Sequence, residues 1–91
     1  MEKRKLLHEL SIQTEQKVPI SLQYYILKGW IPEENRIMYG IEIEMQGAGQ
    51  KESSYYLDVT SIENRAMEIL ALLAKYTVTP VTLRDVLEDL L

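Results

Sequence analysis

The 91-residue sequence contains no cysteine. Disulfides, thiolate nucleophiles, zinc–thiolate centres and iron–sulfur clusters are therefore excluded. Histidine is nearly as scarce, with His8 the only one. A Ser–His–acid arrangement would have to run through that residue near the N-terminus, and the pattern around it reads instead as an edge strand with His8 facing solvent. Long apolar runs are lacking too. No stretch approaches the roughly 20 residues of a membrane span. Only Leu6-Leu7 separates Lys3-Arg4-Lys5 from His8 and Glu9, whereas a secretory signal needs an apolar segment of about 7–15 residues. The expectation is a cytoplasmic protein with no membrane partner. A glycine-rich phosphate loop is also missing. Gly47-Ala48-Gly49 falls between two predicted strands, so no helix N-terminus stands ready for a phosphate.

What is present describes one folded domain. The length fits a single unit, and 46% hydrophobic with 26% charged residues is ordinary for a globular chain. The formal charge of −4 repels phosphate backbones, so no nucleic-acid partner is expected. Lys3-Arg4-Lys5 reads as a solvated basic chain end, being shorter than the five or six like charges of a typical basic tail.

The hydrophobic period changes near residue 60, from two to about 3.6. Leu6, His8, Leu10 and Ile12 alternate with Leu7, Glu9, Ser11 and Gln13 as a strand, although Glu2 to Leu10 also has helical composition. Pro19 excludes a central ladder position there. Leu22, Tyr24 and Ile26 alternate with Gln23, Tyr25 and Leu27. Gly29 and Pro32-Glu33-Glu34-Asn35 mark the next connection. The clearest strand follows: Ile37, Tyr39, Ile41, Ile43 and Met45 share one face, with Met38, Gly40, Glu42, Glu44 and Gln46 on the other. Gly47-Ala48-Gly49 supplies a hairpin turn. The return strand is expected to point Tyr55, Leu57 and Val59 inward and Ser54, Tyr56 and Asp58 outward.

Helices follow. Thr60-Ser61-Ile62-Glu63 reads as a capping box. Ile62, Ala66, Ile69, Leu70 and Leu73 then recur at helical spacing, with Lys75 in the last turn where a cation suits the dipole. Thr79-Pro80 starts a second helix with a hydroxyl cap and a proline at its first position. Leu83, Val86, Leu87, Leu90 and Leu91 form its apolar stripe. The reading is a single α+β domain over residues 1–91: a three- or four-stranded antiparallel β-meander over about 5–59, then two C-terminal helices, about 61–75 and 80–90, packed on one face.

Three runs carry a resemblance: Tyr39-Gly40-Ile41-Glu42-Ile43, Asp58-Val59-Thr60-Ser61, and Val78 to Asp89 (VTPVTLRDVLED). Over roughly residues 37–91 the chain resembles a family of small clostridial proteins catalogued only as a domain of unknown function. The resemblance implies a bacterial cytosolic protein and transfers no activity, cofactor or site residue.

Catalysis and metal binding find little support. Glu42, Glu44 and Asp58 could gather on one sheet face around a divalent cation, but an exposed polar face explains them as well. No catalytic, cofactor or metal residue is assigned, and the expectation is a protein that is not an enzyme. Three features suit an interaction. Tyr25, Leu27, Met38 and Tyr56 are expected on the face opposite Tyr24, Tyr39 and Tyr55, as a patch for a partner or a second copy. Trp30, in a loop Lys28–Pro32, is expected to fold back over the open end of the core, its alternative being a binding tip. Leu90-Leu91 is expected to complete the core, its alternative being to dock on a partner. The best reading is a small interaction or regulatory module, with a homodimer as one form of it. The alternative is a small-ligand domain with a pocket between sheet and helices, lined by Tyr24, Tyr39 and Tyr55, or at a dimer interface.

Overall fold

Strict alternation in the third strand sets the architecture, because it gives the sheet one apolar face for helices to cover. A computed structural model describes residues 3–91. Met1 and Glu2, where the helical alternative for the N-terminal segment begins, lie outside the described residues. Four antiparallel strands pair in chain order: β1 (Lys3–Gln13), β2 (Pro19–Ile31), β3 (Arg36–Gly47) and β4 (Gln50–Thr60). The helices α1 (Glu63–Lys75) and α2 (Leu83–Leu90) follow. The fold is therefore the expected α+β meander, with four strands rather than three. No helix among the described residues is long and apolar enough to cross a membrane.

The turns follow from local chemistry. Ala48 and Gly49 adopt φ of 51° and 75° between β3 and β4, the left-handed pair that suits a two-residue hairpin. Between β2 and β3 a 3-10 turn over Pro32–Glu34 ends on Asn35 at φ 50°, a residue that tolerates the left-handed region. Lys28 to Ile31 is not part of that connection. Those residues continue β2, where Trp30 pairs with Ile37.

The core fills the space between α1, α2 and one face of the sheet. Leu22, Tyr24, Ile41 and Ile43 from the strands meet Ala66, Leu70, Leu83 and Leu87 from the helices, each fully buried. The Tyr24 hydroxyl donates to the Val78 carbonyl at 2.8 Å, tying a central strand to the segment between the helices. α1 closes with the N–H of Val78 on the Leu73 carbonyl and that of Thr77 on the Ala74 carbonyl, the Schellman pattern. Its left-handed residue is Thr77 at φ 53°, a strained choice for a β-branched side chain.

Several expectations are corrected. Leu6 pairs with Tyr25 but His8 pairs with Tyr24, so Leu7 forms a bulge in β1. The bulge turns Leu6 to the open face, and His8, instead of facing solvent, sits half-buried on the helix side. Thr60 does not cap α1. It is still paired with Tyr39 at the end of β4, so the helix starts only after the chain has left the sheet, with Ile62 as the residue before it and no side-chain cap. Thr60 Oγ1 accepts instead from the Ile62 N–H at 3.1 Å. Pro80 opens a 3-10 turn over Pro80–Thr82, not α2 itself, and Thr79 makes no side-chain cap. Leu91 is 59% exposed and Leu90 also faces solvent, because Leu83 and Leu87, one turn apart, take the core side of this short helix.

The largest correction lies in β4. Ser54 pairs with Ile43 and Tyr56 with Ile41, which places both on the helix side. Tyr55 pairs with Glu42 and points to the open face with Leu57. The ladder resumes at Tyr39 and Thr60, so Leu57, Asp58 and Val59 together oppose Gly40. Asp58 takes φ 55° within this bulge, and Val59 returns to the core. A Cβ built on Gly40 would lie 2.7 Å from the Tyr56 carbonyl oxygen and 3.1 Å from the Leu57 Cα. Gly40 is therefore glycine because the bulged chain lies against it. Replacing Gly40 by Ala should destabilise the fold by about 2 kcal/mol through overpacking against backbone; urea unfolding of the Gly40→Ala variant checks this, and unchanged stability would mean that β4 can shift away freely.

Candidate functional site: the open sheet face

With α1 and α2 on one side, the other side of the sheet has no covering layer among the described residues. This face carries Arg4, Leu6 and Glu9 from β1, Gln23, Tyr25 and Leu27 from β2, Met38, Gly40, Glu42 and Glu44 from β3, and Tyr55 and Leu57 from β4. Its side chains lie along the sheet. The Arg4 guanidinium sits 3.6 Å from the centre of the Tyr25 ring, reaches Glu42 at 2.8 Å, and bonds Glu44 as well. One arginine on an edge strand thus spans to the third strand, in a stack that favours a planar cation. Lys51 approaches Glu44 from the far edge at 3.7 Å. Gln23, buried, donates to Glu9 at 3.1 Å and to Ser21, while its own carbonyl oxygen has no partner among the described residues.

Beside this polar lattice runs a groove of about 370 Å³, with Leu27 and Glu42 at its base, Lys3 and Arg4 on the β1 side, and Tyr55 and Leu57 on the β4 side. Tyr55 is 60% exposed and Leu57 40%. The Asp58 bulge holds that wall. Arg36 binds Asp58 through two nitrogens, at 2.6 and 2.8 Å, and donates to Ser61 at 2.8 Å. The guanidinium holds the Asp58 carboxyl below its ordinary range, so the clamp persists over the whole neutral range.

The expected patch is only partly assembled. Tyr25 and Leu27 do share the open face, Tyr25 under Arg4 and Leu27 at the base of the groove. Met38 is on that face but buried, its sulfur accepting the Asp58 N–H at 3.2 Å. Tyr56 is on the helix side, half-buried, with the Arg84 guanidinium 5.5 Å from its ring centre. Trp30 does not fold back over the core: it is 49% exposed near the end of β2, where it pairs with Ile37. Tyr24 and Tyr39 face the helices while Tyr55 faces away, so the three do not line one pocket. Glu42 and Glu44 converge on Arg4 and Asp58 on Arg36, so these carboxylates do not gather around a cation; among the described residues no group of three or more metal-ligating side chains forms. The residues that sequence reasoning missed are Arg4, Tyr55 and Leu57. The one available signal was Gly40 inside an otherwise continuous strand, a mark of close backbone approach.

This geometry defines a helix-backed four-stranded sheet with one open face. The chain belongs to a family of unknown function (DUF6514), whose match covers residues 3–91 and so includes all four strands and both helices. No curated protein and no solved structure matches it.

Two measurements check the assigned environments. Burial pushes the Tyr24 phenol from 10.0 up to about 12. Between those values the unfolded chain releases this proton while the folded chain keeps it, so stability is intact below pH 10 and falls as pH rises through the window. Tyrosinate absorbance should show a step near pH 12, and Tyr24→Phe should remove that step. Trp30, the sole tryptophan, should be strongly quenched by iodide in the native state; a protected signal would place it against the core after all.

Proposed function

We propose that the chain is a protein-interaction module that assembles with a second copy of itself through the open sheet face. The observation that supports this most directly is the groove beside Tyr55: an exposed aromatic knob stands next to a hollow based on Leu27, the arrangement a two-fold contact needs, since each copy offers both parts. Charge supports the same reading. Although the chain is acidic overall, Arg4, Arg36 and Lys51 stand among Glu42, Glu44 and Asp58 on this face, so two copies can approach without strong mutual repulsion. A cytoplasmic location in a bacterium belongs to this reading, in keeping with the lack of cysteine.

The test is native mass spectrometry over a dilution series. A dimer is expected at micromolar concentration. Tyr55→Ala and Leu57→Ala, both at exposed positions, should shift it toward monomer by ten-fold or more in dissociation constant, with unchanged circular dichroism. A monomer at every concentration, or a dimer indifferent to both substitutions, overturns the assignment.

A further inference from the structure

A second surface lies on the far side of the molecule and does not depend on the sheet-face reading. The C-terminal part of α1, the turn after it and α2 enclose an apolar cleft of about 510 Å³. Leu73 and Val78, both buried, belong to its base, and Leu72, Tyr76, Val86 and Leu90 form its walls. Tyr76 is 67% exposed, a large apolar ring left in water on the wall of a groove. Such grooves between helices suit the apolar stripe of a further helix.

Charge identifies the kind of helix. On α2, Asp85 precedes Val86 and Asp89 precedes Leu90, so each lies one helical step round from a wall residue. Both are exposed, and among the described residues neither joins an ion pair. On the α1 side Lys75 adjoins the wall residue Tyr76, its ammonium 5.6 Å from the ring centre. Two carboxylates, Asp85 and Asp89, against one ammonium, Lys75, leave the charge beside these wall residues net negative. A second copy would bring the same net negative rim against it, a poorer match than a basic helix. We propose that the α1–α2 cleft is a docking site for a basic amphipathic helix of a different protein, whose apolar stripe fills the cleft while its Lys or Arg residues meet Asp85 and Asp89.

The full chain can be titrated against fluorescent peptides of about 18 residues, long enough to form helix. One is an amphipathic Leu/Ala/Lys helix, one carries Glu in place of Lys, and one is the Lys peptide in scrambled order. At physiological salt the amphipathic Lys peptide should bind at least ten-fold more tightly than the other two. Tyr76→Ala and Leu72→Ala should each weaken it by ten-fold or more, while Tyr55→Ala on the sheet face leaves it unchanged. Asp85→Lys combined with Asp89→Lys should reverse the preference toward the Glu peptide. Circular dichroism on each variant confirms that the fold is intact. Equal binding of the scrambled peptide, no binding of any peptide, or affinity indifferent to Tyr76→Ala overturns the proposal, and so does a homodimer that Tyr76→Ala abolishes, since that would give the cleft to a second copy.

Discussion

The two-nitrogen grip of Arg36 on Asp58 fixes how the last strand meets the rest of the sheet. Three residues of β4 oppose one of β3 at this point, and the excess has to be stored somewhere. Asp58 stores it in a left-handed backbone conformation, which an aspartate tolerates better than most residues. Arg36 then holds its carboxylate. As a result Tyr56 points to the helices while Val59, three residues on, still reaches the core. Without the bulge, one of the two would lie on the wrong side of the sheet. Gly40 is the counterpart of this device, since only a residue without a side chain fits beneath the displaced strand.

The legible parts of the fold were those where local pattern and global structure agree. β3 alternates without interruption, Gly47-Ala48-Gly49 carries the backbone freedom its turn uses, and the buried positions of α1 recur at helical spacing. The illegible parts were irregularities of register. A bulge changes no residue type, so the alternation of β4 reads the same with it or without it, and Tyr55 and Tyr56 exchange faces. Leu7 does the same to β1, moving Leu6 out and His8 in. Capping failed for a related reason. Thr60 has the right chemistry for a helix start, but the sheet holds it first. Trp30 misled because Gly29 and Pro32 flank it as they would a loop, whereas β2 runs through Gly29 and stops only at the proline.

The candidate site was less legible than the fold because it is made by chain crossing. Arg4 belongs to a basic cluster that looks like a solvated end. Its function in the structure, spanning from the first strand over Tyr25 to Glu42 and Glu44, depends on strand order, which composition does not express. Met38 is buried on a face that α1 and α2 do not cover because the bulged strand lies against it, its sulfur accepting from the Asp58 N–H.

The pairing of each strand with its neighbour in the chain has a kinetic consequence. Every ladder in this sheet closes across a short connection, and short loops lose little entropy on closure. The sheet can therefore grow hairpin by hairpin without any segment waiting for a distant one. The longest-range side-chain hydrogen bond among the described residues runs from Tyr24 to Val78, 54 residues apart. The sheet is thus assembled from local events, and the docking of the helical segment is the step that carries the long-range search.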